Sequence, residues 1–236
     1  MQIDYTGQNV LVTGGTKGIG KSLVKHFKDL GANVWYTGRS KQSFDKNYIA
    51  VDFLKETELT NFLKNIDDLK LSVVVNNAGT NKIGTIESYS EKDYASIINL
   101  NLTSCFRIMK AVIPGMKARH YGRIINITSI SSEISMPMRT AYCSSKFGLV
   151  GLTKAAAVEC AESGVLINSV GPGVTETKLT IDVLGTKKMK QIAESIPSRR
   201  LAKVDEISRV VMFMASPLNT YMVGQNVIID GGYTCV

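Results

Sequence analysis

Thr13-Gly14-Gly15-Thr16-Lys17-Gly18-Ile19-Gly20 decides the fold class of this 236-residue chain, read with the apolar run Asn9–Thr13 before it and the amphipathic stretch 19–30 after it. The glycines permit a tight turn, and the amino terminus of the following helix offers unpaired N–H groups to a pyrophosphate. Gly14, Gly18 and Gly20 follow a G-xxx-G-x-G spacing, which differs from the commoner G-x-G-x-x-G dinucleotide fingerprint. A glycine-rich turn can merely connect two elements, but the strand–turn–helix setting favours a phosphate cradle.

Outward from this turn, short β-rich runs alternate with longer amphipathic stretches, the pattern of a parallel sheet covered by helices on both faces. The strands read as Asn9–Thr13, Asn33–Thr37, Tyr48–Val51, Ser72–Asn76, Arg123–Thr128, Val165–Val170 and Asn226–Asp230. Helical periodicity covers residues 19–30, 56–65, 91–118, 141–163 and 204–215, with a further amphipathic piece near 178–195. The expected fold is an α/β, doubly wound parallel sheet of about seven strands, whose ligands sit beyond the carboxyl ends of the strands. Four strand ends deliver special residues to that rim: the glycine turn, Asn77-Ala78-Gly79, Ser129, and Gly171-Pro172-Gly173.

Composition narrows the class. Hydrophobic residues make up 44% and charged residues 20%, ordinary globular values, and no Pro/Ser-rich stretch or charge block divides the chain. One domain over 1–236 is expected. No window approaches ~18 uninterrupted apolar residues, and MQIDYTGQNV lacks a basic segment followed by an apolar one. That argues against membrane spanning or secretion and for a cytoplasmic location. Cys105, Cys143, Cys160 and Cys235 show neither CxxC spacing nor nearby histidines, so they read as reduced thiols and no metal site is expected. With only His26 and His120 present, a histidine-based triad is disfavoured, and His26 reads as packing in a helix. The net charge of +8 is scattered rather than striped with aromatics, which argues against nucleic acid as a partner.

Cofactor choice is readable in the second strand, which ends in Gly38-Arg39-Ser40. An acidic residue there would bind a ribose 2′-hydroxyl and repel a 2′-phosphate, whereas this chain places an arginine, favouring NADP over NAD. Arg39 can meet the phosphate with its planar fork, Ser40 can add a hydroxyl, and Lys17 can reach from the first turn. Ordinary surface cations are the alternative for Arg39 and Lys17. Asp52 can accept from an adenine amino group or serve in a cap or turn.

Tyr142-Cys143-Ser144-Ser145-Lys146 stacks a phenol and an ammonium on one helix face. A free tyrosine titrates near pH 10, so proton transfer near neutrality needs a shift of roughly 3 units. A cation about 4 Å away contributes on the order of 4 kcal/mol at an effective dielectric of ~20, nearly enough. In isolation, such a pair is more often two unrelated residues on a solvated face.

In order along the chain, TGGTKGIG, NNAG at Asn76–Gly79, Asn101, Ser129, YCSSK at Tyr142–Lys146 and the late GPG and DGG elements resemble the short-chain dehydrogenase/reductase family over residues 7–233. The chain is most similar to the bacterial 3-oxoacyl-carrier-protein reductase subgroup. The resemblance implies a single Rossmann-like domain, NADP(H), a small-molecule carbonyl or alcohol substrate, and a homodimer or homotetramer. It places the active-site asparagine at Asn101 rather than Asn99, the serine at Ser129, and the tyrosine and lysine at Tyr142 and Lys146. Tyr142 is expected to donate a proton to a ketone oxygen held by Ser129. Lys146 is expected to lower the phenol pKa and bond the nicotinamide ribose, while Asn101 holds a water linking Lys146 to solvent. Cofactor contacts are implied for Gly14, Thr16, Lys17, Gly18, Ile19, Gly20, Arg39, Ser40, Asp52, Asn76, Asn77, Ala78, Gly79, Tyr142, Lys146, Pro172, Gly173, Val174 and Thr177. Asp230-Gly231-Gly232 is expected to be structural. Met136 and Met138 are expected to form one pocket wall, and the segment 178–197 resembles the family's substrate lid. Its Leu179, Ile181, Val183, Leu184 and Met189 are open to either of two roles, covering an apolar ligand or packing on protein. Arg139 reads as a solvated cation or a contact for an acidic substrate.

Overall fold

The computed structural model describes residues 3–40 and 45–236, with the side chains of 178, 179, 181–184 and 186 outside that set. The seven expected strands form one parallel sheet. They are β1 (Asn9–Val12), β2 (Asn33–Gly38), β3 (Tyr48–Ala50), β4 (Val73–Asn76), β5 (Gly122–Ile127), β6 (Val165–Pro172) and, last in the chain, β9 (Asn226–Ile229). Their spatial order is β3-β2-β1-β4-β5-β6-β9. The order reverses between β1 and β4, so a crevice opens beyond their carboxyl ends, where open α/β sheets take ligands. Val12 is in register with both Tyr36 and Val75, which levels the ends of the three strands that border the crevice.

Alternation along β1 sends Val10 and Val12 to one face and Leu11 to the other. Val10 and Val12 pack with Leu23, Phe27, Ile207 and Val211, the apolar stripes of α1 (Gly18–Asp29) and α7 (Val204–Ala215). Leu11 packs with Phe62, Ile108, Met109 and Val112 from α2 (Glu56–Asn65) and α4 (Ser104–Ala118). Burying each such side chain contributes about 1.5–3 kcal/mol before the cost of ordering it.

Three features depart from the sequence reading. The expected helix over 91–118 is broken into α3 (Glu91–Ile98), a π turn at Asn99–Thr103 and α4. The amphipathic period runs across that break without a glycine or proline to mark it, because a π turn inserts one extra residue while keeping backbone bonds. Two short strands outside the main sheet, β7 (Thr175–Glu176) and β8 (Ala202–Lys203), pair in parallel. They tie together the two ends of the segment that contains α6 (Lys178–Ser195), which bends at Gly185, where φ is 69° and ψ 163°. Leu179, Ile181, Val183 and Leu184 lie outside the described side chains, and Met189 is half-buried. α5 (Thr140–Cys160) runs behind β5 and β6 and carries the Tyr142–Lys146 pair. Among the described residues, no helix is long and apolar enough to cross a membrane.

Candidate active site

The glycine turn folds as the spacing predicts. Gly18 sits at φ 51°, in the left-handed region, as the first residue of α1. At Gly20 the constraint is distance, since a Cβ there would lie 2.3 Å from the Gly14 carbonyl oxygen. No side chain caps α1, and no acidic residue stands in its first turn. The helix amino terminus therefore faces the turn with free N–H groups and an uncompensated positive dipole end, a fit for a pyrophosphate.

A residue not singled out by its motif holds this turn in place. Thr13 is 1% exposed, and its hydroxyl accepts from the backbone N–H groups of Asn77 and Ala78, each at 2.9 Å. Asn77 answers with its side-chain Nδ2, which donates to the carbonyls of Thr13 at 2.9 Å and Gly14 at 3.2 Å. Thr37 closes the other side, accepting from Gly14 N–H at 3.0 Å through its hydroxyl and from Gly15 N–H at 2.9 Å through its carbonyl. The carboxyl ends of β1, β2 and β4 are thereby joined directly. The signal in the sequence is a polar residue ending each strand of a buried apolar run.

Gly38 lies so close to Thr16 that a Cβ on it would approach the threonine methyl to 2.6 Å, which brings the Arg39 turn alongside the glycine turn. Arg39 is exposed and, among the described residues, has no carboxylate partner. Lys17 and Thr16 are also exposed on this rim, while the Ser40 carbonyl accepts from the Tyr48 hydroxyl at 2.6 Å. Asp52 braces a turn with one carboxylate oxygen, its Oδ1 accepting from Leu54 N–H at 3.0 Å.

Across the crevice, Lys146 is 5% exposed and donates to the Ile127 carbonyl at 2.8 Å. One of its three donors is thus spent on the end of β5. Its Nζ lies 5.6 Å from the centroid of the Tyr142 ring. The Tyr142 hydroxyl has no protein hydrogen-bond partner among the described residues, and the ring is half-buried. Burial pushes the neighbouring Cys105 thiol up to about 11, with the Lys146 charge pulling the other way. Ser129 leaves β5 in an extended conformation and opens the turn Ile130–Ser132, which packs against α5. Its Oγ accepts from Ser131 N–H at 3.1 Å. That leaves the Ser129 hydroxyl proton free to donate elsewhere.

Asn101 is fully buried, and its carboxamide is bonded to protein. Oδ1 accepts from Thr80 N–H at 2.8 Å, and Nδ2 donates to the Thr80 carbonyl at 2.9 Å and to Ser145 Oγ at 3.0 Å. Ser145 in turn donates to the Tyr142 carbonyl at 2.7 Å. Asn101 therefore ties the loop after β4 to the Tyr142 turn of α5, and the π turn is what aims it there.

Asn76 is buried and donates to Asn126 Oδ1 at 2.8 Å. On the remaining rim, Thr177 packs against Gly18, where a Cβ would meet its methyl at 3.4 Å. Its hydroxyl caps α6 by accepting from Thr180 N–H at 3.1 Å, and the Val174 carbonyl accepts from Ala202 N–H at 3.2 Å. Pro172 ends β6 and Gly173 packs on Asp230, where a Cβ would fall 2.7 Å from the Asp230 Cα. Asp230 has the structural role expected, accepting from Gly232 N–H, Thr234 N–H and the Thr234 hydroxyl. Arg139 is half-buried at the start of α5, in a bridge with Gly84. His26 contacts Asp205 across α1 and α7 at 3.2 Å, far along the helix from the crevice.

The family model described as "Enoyl-(Acyl carrier protein) reductase" matches residues 13–234. The chain belongs to the short-chain dehydrogenase/reductase family. It is an oxidoreductase of that family, on a Rossmann-type sheet. Among curated proteins, the 3-oxoacyl-[acyl-carrier-protein] reductase FabG of Rickettsia bellii is 33% identical over 243 residues, spanning 99% of this chain and 100% of that protein. FabG of Chlamydia pneumoniae is 32% identical over 248 residues, with coverage of 99% and 100%. Among solved structures, ElxO with NADP bound has a TM-score of 0.90 at 29% identity, covering 97% of this chain and 99% of that one. The aldohexose dehydrogenase AldT of Thermoplasma acidophilum, in ligand-free form, has a TM-score of 0.91 at 29% identity, with coverage of 98% and 95%.

Proposed function

We propose that this oxidoreductase uses NADPH to reduce a ketone to a secondary alcohol, reversibly, with a 3-oxoacyl thioester as its substrate. The observation that carries the reading is the Tyr142 hydroxyl, without a protein partner among the described residues, one helical turn from the buried Lys146, which has no carboxylate partner among them. A buried ammonium with neither carboxylate partner nor solvent is costly unless it has work at that position.

The residues present fit a dinucleotide. The uncapped start of α1 and the crowded Gly20 make a cradle for the pyrophosphate, with Gly14, Thr16, Lys17, Gly18 and Ile19 around it. Arg39, with Ser40 and Lys17, takes the 2′-phosphate. Asn77, Ala78, Gly79 and Asp52 flank the adenosine, and Pro172, Gly173, Val174 and Thr177 the nicotinamide. When bound, the reduced nicotinamide supplies the hydride that the ketone carbon accepts. Ser129 donates its free hydroxyl proton to the ketone oxygen, holding it against Tyr142. Tyr142 delivers a proton to that oxygen, and Lys146 stabilises the phenolate left behind. Its Nζ lies 5.6 Å from the centroid of the phenol ring, within reach of that charge. The two remaining Lys146 donors bind ribose hydroxyls. Asn101 acts by holding the loop after β4 and the Tyr142 turn in register.

The thioester preference rests on the two FabG relatives, each matched over its full length. The aldohexose dehydrogenase makes a sugar the competing substrate. We further read the chain as one cytoplasmic domain in which 178–197 covers the substrate. Self-association is supported by the outer faces of α4 and α5, where Phe106, Phe147 and Val158 are 48%, 45% and 79% exposed. Light scattering expects a dimer or tetramer. The activity test is a panel of 3-oxoacyl, sugar, quinone and steroid ketones, with NADPH and NADH absorbance followed in parallel. Turnover of the acyl ketone with NADPH is the expected result; no turnover of any ketone with either cofactor overturns the reading.

A further inference from the structure

Asn226, at the start of β9, is bonded to four side chains that lie between 57 and 98 residues away in the chain. A carboxamide has two acceptor positions and two donor hydrogens, and here all four are used. Oδ1 accepts from the hydroxyls of Thr128 and Ser169, both at 2.8 Å. Nδ2 donates to Ser132 Oγ at 3.2 Å and to Glu133 Oε1 at 2.7 Å. The orientation of the amide is set by Glu133, because an ionised carboxylate only accepts and so must face the NH₂ group. The hydroxyls of Thr128 and Ser169 are then left to donate.

These partners flank Ser129. Thr128 immediately precedes it, and the Ser132 hydroxyl that receives the Asn226 hydrogen donates its own to the Ser129 carbonyl at 2.6 Å. Ser132 N–H reaches the same carbonyl at 2.9 Å. Thr128, Ser132 and Ser169 are 2%, 3% and 0% exposed, so water does not readily replace these bonds. Ser129 stands where β5 ends, beyond the last ladder pair Ile127–Val170: the Thr128 N–H still reaches the Val170 carbonyl at 2.8 Å, and the turn that follows is braced by side chains as well. Asn226 is the hub of those side chains.

We propose that Asn226 is a positioning residue for Ser129, holding the turn that aims the Ser129 hydroxyl at the substrate oxygen. This rests on the reading of Ser129 as the group that holds that oxygen. Asn226 itself touches neither substrate nor cofactor; it acts through the Thr128–Ser132 backbone. Misplacing a reacting group by about 1 Å costs on the order of a hundredfold in rate. Removing the carboxamide is therefore expected to lower kcat by about tenfold to a hundredfold, with the KM for NADPH unchanged, because the phosphate cradle lies on β1, β2 and β4.

The test is a double-mutant cycle in kcat, using the ketone turned over in the panel, with melting curves on each variant. Ser129→Ala alone is expected to lower kcat by about a hundredfold or more. Asn226→Ala is expected to lower kcat in the Ser129 enzyme but to add no further loss in the Ser129→Ala background, since there is no hydroxyl left to aim. Equal losses in both backgrounds, or wild-type kcat in Asn226→Ala, overturn the inference. Wild-type kcat in Ser129→Ala instead overturns the active-site reading, and the inference with it. Should Asn226→Ala fail to fold, Asn226→Asp keeps the two accepted bonds, removes both donated ones, and is held to the same two outcomes.

Discussion

Replacing Thr13 by valine tests whether the three strand ends are joined as described. The two side chains are nearly isosteric, so packing is preserved while the acceptor for the Asn77 and Ala78 N–H groups is lost. Each orphaned buried donor costs about 1–3 kcal/mol, giving roughly 2–6 kcal/mol for the pair. Asn77 and Ala78 are only half-buried, so partial access to water puts the expected loss near the lower end, about 2–3 kcal/mol. Thr13→Ser keeps the hydroxyl and removes one methyl from a site 1% exposed, a loss of about 1 kcal/mol. The assay is urea unfolding of the three proteins, with the slope m checked for constancy so that midpoints report stability alone. NADPH affinity, measured by fluorescence titration, should fall in Thr13→Val, because the same hydroxyl positions Asn77 and Ala78. A Thr13→Val protein within about 0.5 kcal/mol of wild type, or a Thr13→Ser protein as unstable as Thr13→Val, would refute the reasoning.

Three further outcomes are expected. Tyr142→Phe removes a hydroxyl with no protein partner among the described residues, so melting should be unchanged while kcat falls by at least about a hundredfold; an active Phe variant removes Tyr142 from the proton transfer. Arg39→Asp should weaken NADPH by about ten- to a hundredfold, the worth of a charge-assisted bond, with little change for NADH; steady-state kinetics showing unaltered discrimination would take Arg39 out of the phosphate site. Hydrogen bonds from Arg107 and Arg200 hold the Glu56 and Glu206 carboxyls at about 2, below their ordinary 4.5. A depressed carboxylate contributes stability above its unfolded pKa that is lost as pH falls through the folded one. The stability advantage of wild type over Glu56→Gln and Glu206→Gln should therefore be flat near neutrality and vanish between about pH 4.5 and 2; melting curves in which the gap persists at pH 2 would contradict that assignment.

The sequence alone determined everything that depends on local periodicity or on close neighbours in the chain. Alternation of Val10, Leu11 and Val12, the glycines of the first turn, and the four-residue interval from Tyr142 to Lys146 each encode their geometry within a few residues, because strand and helix repeats are short-range. The seven strands and the rim where they deliver polar residues were legible for that reason. Tertiary structure alone decided what those polar groups bond. Neither the π turn that sends Asn101 to Thr80 and Ser145, nor Thr13 as the clamp on Asn77 and Ala78, nor Asn226 behind Ser129 has a local signature. A serine, threonine or asparagine is equally at home in a cap, a turn or a solvated face. Its partner is chosen only when distant strands are set side by side and a buried donor or acceptor must find the nearest complement or go unpaired.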